Sequence, residues 1–118
     1  MRMRSGRREN EDFLMARDVR RTKSYQTSLI ESLKDPEEAA AYLNAALDEE
    51  AEDAEELFLL ALRNVAEAHG IAKVAASAAL NRETLYRTLS TRGNPRLSTI
   101  GALLDALGLR LAVEVKAA

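Results

Sequence analysis

"IAKVAASAALNRETLYRTLS", residues 71–90, predicts two short helices joined by a tight turn. Ala75 supplies the small side chain that is needed where two such helices meet. Leu85 and Leu89, one helical turn apart, are spaced to face a common core. Ala79 stands where glycine often provides a left-handed turn, which is a departure from the common pattern. We therefore predict a helix-turn-helix in this stretch.

With those leucines facing inward, the second helix presents a polar outer face that suits the major groove of DNA. Arginine can donate two hydrogen bonds to guanine, asparagine can pair with adenine, and threonine can contact the thymine methyl group. Flanking cations would contact phosphates and set the register. Any one exposed cation is ordinary on a soluble protein, so the clustering is the evidence. The candidate DNA-binding residues are Lys73, Asn81, Arg82, Glu83, Thr84, Tyr86, Arg87, Arg92 and Arg96.

Capping residues mark the starts of further helices on both sides of this stretch. Asp35 precedes Pro36, which suits the first helical position because proline has no amide hydrogen to donate. Asp53 and Glu56 have the spacing of a capping box. Asn81 is placed to cap the second helix of the quoted stretch, and Ser98 is placed to cap the last helix.

Apolar spacing completes the predicted architecture. Aromatic residues make up only 4% of the chain, so leucine, alanine and valine must build the core. Residues 57–62 are all apolar, which places their helix at the centre of the bundle or against another chain. A buried stripe is predicted for Ala39, Tyr42, Leu43, Ala46 and Leu47. We predict an all-α bundle of five to six helices over residues 23–118, preceded by a flexible basic arm over residues 1–22.

The end of the chain changes period. In residues 109–116, apolar leucines and valines alternate with Arg110, Ala112, Glu114 and Lys116, which is the pattern of a half-buried strand. No other segment reads as its partner, so we expect a short C-terminal β-strand that pairs between chains. The alternative is a frayed tail.

Charge is segregated along the chain. Residues 36–69 carry ten acidic side chains and one basic one, whereas residues 70–118 carry seven basic and three acidic ones. A chain with one acidic and one basic block offers surfaces for two kinds of partner. Solvated helix faces are the alternative explanation.

Catalysis, cofactors and membranes find little support in the sequence. The absence of cysteine excludes disulfides, thiolate zinc sites and a cysteine nucleophile. His69 is the only histidine and sits at a predicted helix end, where it complements the helix dipole. No apolar run is long enough to span a bilayer, and no secretion signal is recognisable. We expect a cytoplasmic protein that is not an enzyme and that needs no cofactor or metal.

Four segments together are similar to a known family: "SLKDPEEAAAYLNAALDE", "LFLLALRNVAEAHG", "LNRETLYRTLSTRGNPRLSTI" and "LDALGLRLAVEV". Over about residues 23–115 the chain resembles the probable addiction-module antidote family, HigA-type antitoxins with an Xre/Cro-like helix-turn-helix. Members often have two glycines before the first helix of this motif, whereas "HGIAK" has one. That difference affects only the expected start of the helix.

The resemblance implies an antitoxin that neutralises a RelE/HigB-type, mRNA-cleaving toxin by direct binding. It also implies a homodimer that represses its own operon by binding double-stranded operator DNA, with residues 81–90 as the recognition helix. Such toxins are typically basic, so the candidate toxin-binding residues are Asp48, Glu49, Glu50, Glu52 and Asp53. The C-terminal strand is the rival docking element. The alternatives are a stand-alone helix-turn-helix repressor without a toxin and a protein-binding module that does not touch DNA.

Overall fold

A computed structural model of the protein describes residues 23–48, 52–90 and 93–117. This part of the chain has no β-strand and is all-α, with a number of helices inside the predicted range. The predicted flexible arm, residues 1–22, lies outside the described residues. The six described helices are α1 (Lys23–Ser32), α2 (Pro36–Leu47), α3 (Ala54–His69), α4 (Ile71–Ser77), α5 (Arg82–Thr88) and α6 (Leu97–Ala106).

Helix α3 is the centre of the bundle. It packs against α1, α2 and α4, and α4 in turn packs against α5 and α6. Within its apolar run, Leu57 and Leu62 are buried, and Phe58 and Leu60 are half-buried. The helices that pack on several sides of α3 therefore account for its apolar run. This agrees with the first of the two interpretations, in which the helix lies at the centre of the bundle.

The core is built from aliphatic side chains, as the shortage of aromatic residues predicted. Leucines from four helices meet in it with Leu33 of the turn after α1, together with alanines of α2, α3 and α4 and two valines. The predicted stripe on α2 is correct for Ala39, Leu43 and Ala46, which are buried. It is wrong for Leu47, which is 53% exposed because the helix ends there and turns its last residue to solvent.

Two of the predicted helix caps are present. The carboxylate of Asp35 accepts a hydrogen bond from the backbone N–H of Glu37 at 3.1 Å, at the start of α2. The side chain of Asn81 accepts one from the backbone N–H of Thr84 at 2.7 Å, at the start of α5. Each bond satisfies one of the amides that a helix start leaves unpaired.

Two other predicted caps are wrong. Asp53 does precede α3, but its backbone is at φ −95° and ψ 16° rather than extended, and its side chain makes no capping bond. Ser98 lies inside the first turn of α6, because Arg96 has the extended backbone of the cap and Leu97 is the first helical residue. The Arg96 side chain makes no capping bond either.

The turn between α4 and α5 is tight and left-handed. Ala79 has a φ of 58°, the conformation that the sequence pattern would give to glycine. The backbone N–H of Leu80 donates to the carbonyl of Ala75 at 2.8 Å, which closes the turn. Ala75 is only 3% exposed, in agreement with its predicted role as the small residue at the crossing.

A second close approach lies after α5. A side chain on Gly93 would place its Cβ 2.0 Å from the carbonyl oxygen of Thr88, a backbone atom that cannot rotate away. The N–H of Gly93 also donates to the carbonyl of Ser90 at 2.8 Å. Glycine is therefore required where the chain leaves α5 for α6.

One polar bond lies inside the helical core. The Asn64 side chain, which is 2% exposed, donates from Nδ2 to the hydroxyl of Tyr42 at 2.9 Å. This bond ties α2 to α3. Because a buried amide without a partner is costly, it fixes how the two helices align.

The C-terminal segment does not resolve into the predicted strand. Residues 109–117 form neither a helix nor a β-ladder within the described chain, so the strand over residues 109–116 stays a prediction. None of the helices in the described ranges is both long and apolar enough to cross a bilayer.

Candidate nucleic-acid interface

Helix α5 has one side in the core and one side in solvent. Leu85 is completely buried and Leu89 is 2% exposed, which confirms that both face inward. Arg82, Glu83 and Arg87 are exposed on the other side. The helix therefore presents charged groups on a surface whose position is fixed from below by the core.

Tyr86 differs from its predicted place on the open face, because it is half-buried. The guanidinium carbon of Arg82 lies 5.8 Å from the centre of its ring, and that of Arg63 lies 4.9 Å from it. A cation over an aromatic face is attracted by the negative charge of the ring. Tyr86 is therefore a platform that holds two arginines.

Arg63 is the site residue that sequence reasoning missed. It belongs to α3, within the acidic block, and reaches α5 only because the fold brings the two helices together. The feature of the sequence that could have marked it is that it is the single arginine or lysine among residues 36–69. Its contact adds a positive charge at the edge of the α5 surface.

Asn81 and Thr84 are engaged with each other through the helix cap. The Oδ1 atom of Asn81 accepts the N–H of Thr84, so one of the two lone pairs of this oxygen, the acceptor that an asparagine uses to pair with adenine, is already engaged. Asn81 is exposed, whereas Thr84 is half-buried at the edge of the surface. Both residues lie where they were predicted. The hydrogen bond of Asn81, however, caps the N-terminus of α5.

The predicted phosphate-contacting residues flank this helix. Lys73 on α4 and Arg96 before α6 are both exposed. A shallow depression beside Arg87 is lined by Ser90, Gly93, Asn94 and Pro95 and leads from α5 towards Arg96. Arg92 lies outside the described residues.

The cations of this surface form no ion pair with another residue that the structure describes. In the described ranges, the only ion pair joins Lys34 to Glu31 at 3.0 Å, on α1 and the turn after it. Glu83 and Arg87 share one side of α5 without forming an ion pair. Within the described ranges, the arginines of this surface are therefore held by the Tyr86 ring and not by a carboxylate.

The acidic candidates lie between α2 and α3. Asp48 and Glu52 are exposed and Asp53 is half-buried, and none of the three forms an ion pair with another described residue. Glu49 and Glu50 lie outside the described residues. The acidic block thus offers carboxylates to solvent at the start of α3.

Side chains of the types that bind metals are dispersed in the described part of the chain. No group of three or more histidine, cysteine or acidic side chains there is placed to hold a metal ion. The Nδ1 atom of His69 is buried without a hydrogen-bond partner in that part of the chain.

Comparison with known proteins identifies the family to which this chain is similar. Residues 22–115 match the family model described as probable addiction module antidote protein. A protein of Haemophilus influenzae, described as uncharacterized, is 39% identical over 84 residues, which cover 71% of this chain and 84% of that protein. No solved structure matches the chain. The matched segment contains all six described helices.

Proposed function

Since the chain belongs to the family of probable addiction module antidote proteins, we propose that it is the antitoxin of a type II toxin-antitoxin module. It neutralises a RelE/HigB-type, mRNA-cleaving toxin by direct binding. It also represses the operon of both proteins by binding operator DNA. It acts by binding and not as an enzyme.

The DNA-binding half of the proposal rests on one observation: Leu85 and Leu89 are buried while Arg82 and Arg87 are exposed. In our proposal α4 and α5 form a helix-turn-helix of the Xre/Cro type, and α5 enters the major groove. Arg82 and Arg87 read guanine, since each guanidinium can donate two bonds to one base edge. Lys73, Arg92 and Arg96 contact phosphates.

One helix reads only a few base pairs, so useful specificity requires a homodimer on two half-sites about 34 Å apart. The test is to measure binding to the DNA upstream of the gene by fluorescence anisotropy, over a range of salt concentrations. A protein that covers phosphates loses affinity steeply as salt increases. Affinity that stays constant with salt, or that is equal for operator and unrelated DNA, would contradict specific operator binding.

Two variants distinguish base recognition from phosphate contact. Arg87→Ala should lose roughly 1–3 kcal/mol on the preferred operator and relax the preference at one base position. Arg96→Ala should weaken binding to every sequence alike and reduce the salt slope by about 1. Lys34→Ala, which removes a cation paired with Glu31 on the turn after α1, is the matched control and should change neither quantity.

The toxin-binding half is supported by charge. Toxins that grip RNA are basic, and the exposed Asp48 and Glu52 belong to the acidic block. We propose that Asp48, Glu49, Glu50, Glu52 and Asp53 contact the toxin. Replacing all five by serine should weaken toxin binding most at low salt, as measured by calorimetry.

The C-terminal segment is the competing toxin-binding element. Truncation after Leu109 should leave toxin affinity intact if the acidic surface carries the contact. Loss of toxin binding on truncation, with no effect of the serine variant, would reverse the assignment. Co-purification with the product of the neighbouring gene tests the module itself, since a stand-alone repressor would purify without it.

A further inference from the structure

The C-terminal segment, residues 109–116, offers a row of apolar side chains to solvent. Leu111 is 47% exposed, Val113 is 100% exposed and Val115 is 97% exposed. Across the described chain, no backbone hydrogen bond is made by residues 110–117. Both the side chains and the backbone groups of this segment are therefore available to a partner.

The segment begins at a fixed point on the core. Leu109 packs against the hydrophobic core, and its N–H donates to the carbonyl of Leu104 at 2.8 Å. Since an isolated two-stranded ribbon is only marginally stable in water, such anchoring is needed for any pairing by this segment. Two copies would each anchor one strand.

We propose that residues 109–116 pair with the same residues of a second copy, in an antiparallel, two-fold symmetric β-ladder centred on Ala112. The use of this dimer rests on the proposed function, because an operator with two half-sites needs two linked copies. The register does not depend on that function. It follows from the charges and apolar residues of the segment alone.

Alternation of side chains excludes half of the possible registers. Odd-numbered residues from 109 to 115 are apolar, and the even-numbered ones are charged or small. Residues that face each other across an antiparallel pair lie on the same side of the sheet. A shift by one residue would bring apolar side chains opposite charged ones on both sides, so the two-fold axis must pass through a residue and not between two.

Charge then selects among the remaining registers. Centring on Ala112 puts Arg110 opposite Glu114 of the second copy, and symmetry repeats this pair. On the other side, Leu111 lies opposite Val113, and Leu109 lies opposite Val115. Opposite charges that face each other across a ladder stabilise it.

The neighbouring registers lack this match. Centring on Arg110 or on Glu114 places each of these charges opposite its own copy. Centring on Val113 places Arg110 opposite Lys116. Centring on Leu111 forms no pair of opposite charges. Only the register centred on Ala112 joins opposite charges while it overlaps nearly the whole segment.

Charge exchange tests the register in the full-length protein without DNA or toxin. Arg110→Glu and Glu114→Arg should each raise the dimer dissociation constant by about tenfold or more, because each creates two like-charge pairs. The double variant should return to within about threefold of the original protein, since it restores both pairs. Analytical ultracentrifugation measures the constant, and circular dichroism verifies that the helices are intact.

Cysteine crosslinking gives a second, independent measurement. The chain has no cysteine of its own, so Ala112→Cys introduces a single thiol next to the same thiol of the second copy. Paired Cα atoms across a ladder lie about 4.5–5.5 Å apart, within the span of a disulfide. Arg110→Cys and Glu114→Cys are controls, because in this register each lies more than about 13 Å from its own copy.

The proposal predicts rapid covalent dimerisation of the Ala112→Cys variant and slow reaction of both controls. The proposal would be overturned if Arg110→Cys or Glu114→Cys crosslinked faster than Ala112→Cys. It would also be overturned if the double charge variant dimerised as weakly as the single variants. A chain that is monomeric until toxin is added, with Arg110→Glu weakening toxin binding, would also overturn it and would assign the segment to the toxin. Failure of DNA or toxin binding with these dimer results intact would count against the proposed function alone.

Discussion

At the scale of single residues, two glycines with opposite surroundings give a matched pair of substitutions. Gly93→Ala would push a Cβ to 2.0 Å from the Thr88 carbonyl oxygen, so backbone must move. We expect a loss of about 1–3 kcal/mol in the free energy of unfolding. Urea denaturation followed by circular dichroism measures it.

Gly101 is the control for this prediction. It lies within α6, and an added Cβ meets nothing within 4 Å. Gly101→Ala should therefore stabilise the protein by about 0.5–1 kcal/mol, since alanine favours helix more than glycine does. If Gly93→Ala and Gly101→Ala changed the free energy of unfolding equally, the close approach at Gly93 would not be a constraint.

The platform role of Tyr86 is tested by separating its ring from its hydroxyl. Tyr86→Phe keeps the aromatic face beneath Arg63 and Arg82 and should leave DNA affinity nearly unchanged. Tyr86→Leu removes the face and should cost about 0.5–1 kcal/mol of DNA binding. Anisotropy titrations measure both variants. If phenylalanine weakened binding as much as leucine does, the hydroxyl would be the active group and the platform interpretation would be wrong.

At the scale of elements, the turn between α4 and α5 holds alanine in a conformation that glycine adopts more readily. Ala79 has a φ of 58°. Ala79→Gly should relieve about 1–2 kcal/mol of strain, partly offset by the greater freedom of glycine in the unfolded chain. We expect a net gain of up to roughly 1 kcal/mol, measured by thermal or urea unfolding.

Ala78 supplies the matched control for this turn. Its φ is −93°, so glycine gains nothing there in the folded state. Ala78→Gly should lower the stability by about 0.5–1 kcal/mol. If glycine lowered the stability at residue 79 as well as at residue 78, the left-handed conformation at residue 79 would carry no cost.

Local patterns predicted these elements well. The spacing of Leu85 and Leu89 and the capping type of Asn81 depend on one or two helical turns, which the sequence displays directly. The left-handed Ala79 also follows from its place in the turn. Asp53 and Ser98 were wrong as caps because the cap depends on the backbone angle of that residue, which side-chain type does not determine.

Contacts between distant segments were the part that local patterns could not supply. The stacking of Arg63 on Tyr86 joins two helices through the folded core, and no periodicity marks a residue for such a contact. Likewise, Leu47 fits the apolar spacing of α2 but lies at its end and is 53% exposed. Such outcomes depend on how the helices are arranged and not on the helices themselves.

At the scale of the whole molecule, the acidic and basic candidate surfaces are held apart by α3. Arg63, which contacts Tyr86 of α5, lies about 15 Å along the helix axis from Asp53 at the start of α3. The screening length is about 8 Å at physiological salt and about 30 Å at 0.01 M. The two surfaces should therefore act independently at physiological salt and become coupled when salt is removed.

Replacing Asp48, Glu52 and Asp53 by serine tests this separation. DNA affinity should change by less than about twofold at 0.15 M salt and should increase at 0.01 M, where the lost negative charge is no longer screened. Anisotropy titrations at the two salt concentrations measure it. A large change at the higher concentration would show that the acidic residues lie closer to the DNA than the helix geometry implies.

The packing order of the helices also bears on how fast the chain reaches its structure. Helix α3 packs on α1, α2 and α4, and α4 packs on α5 and α6, so each of these pairs joins helices at most two places apart in the chain. Short loops close with little loss of entropy before they gain contacts. Folding of this helical bundle should therefore take microseconds to milliseconds.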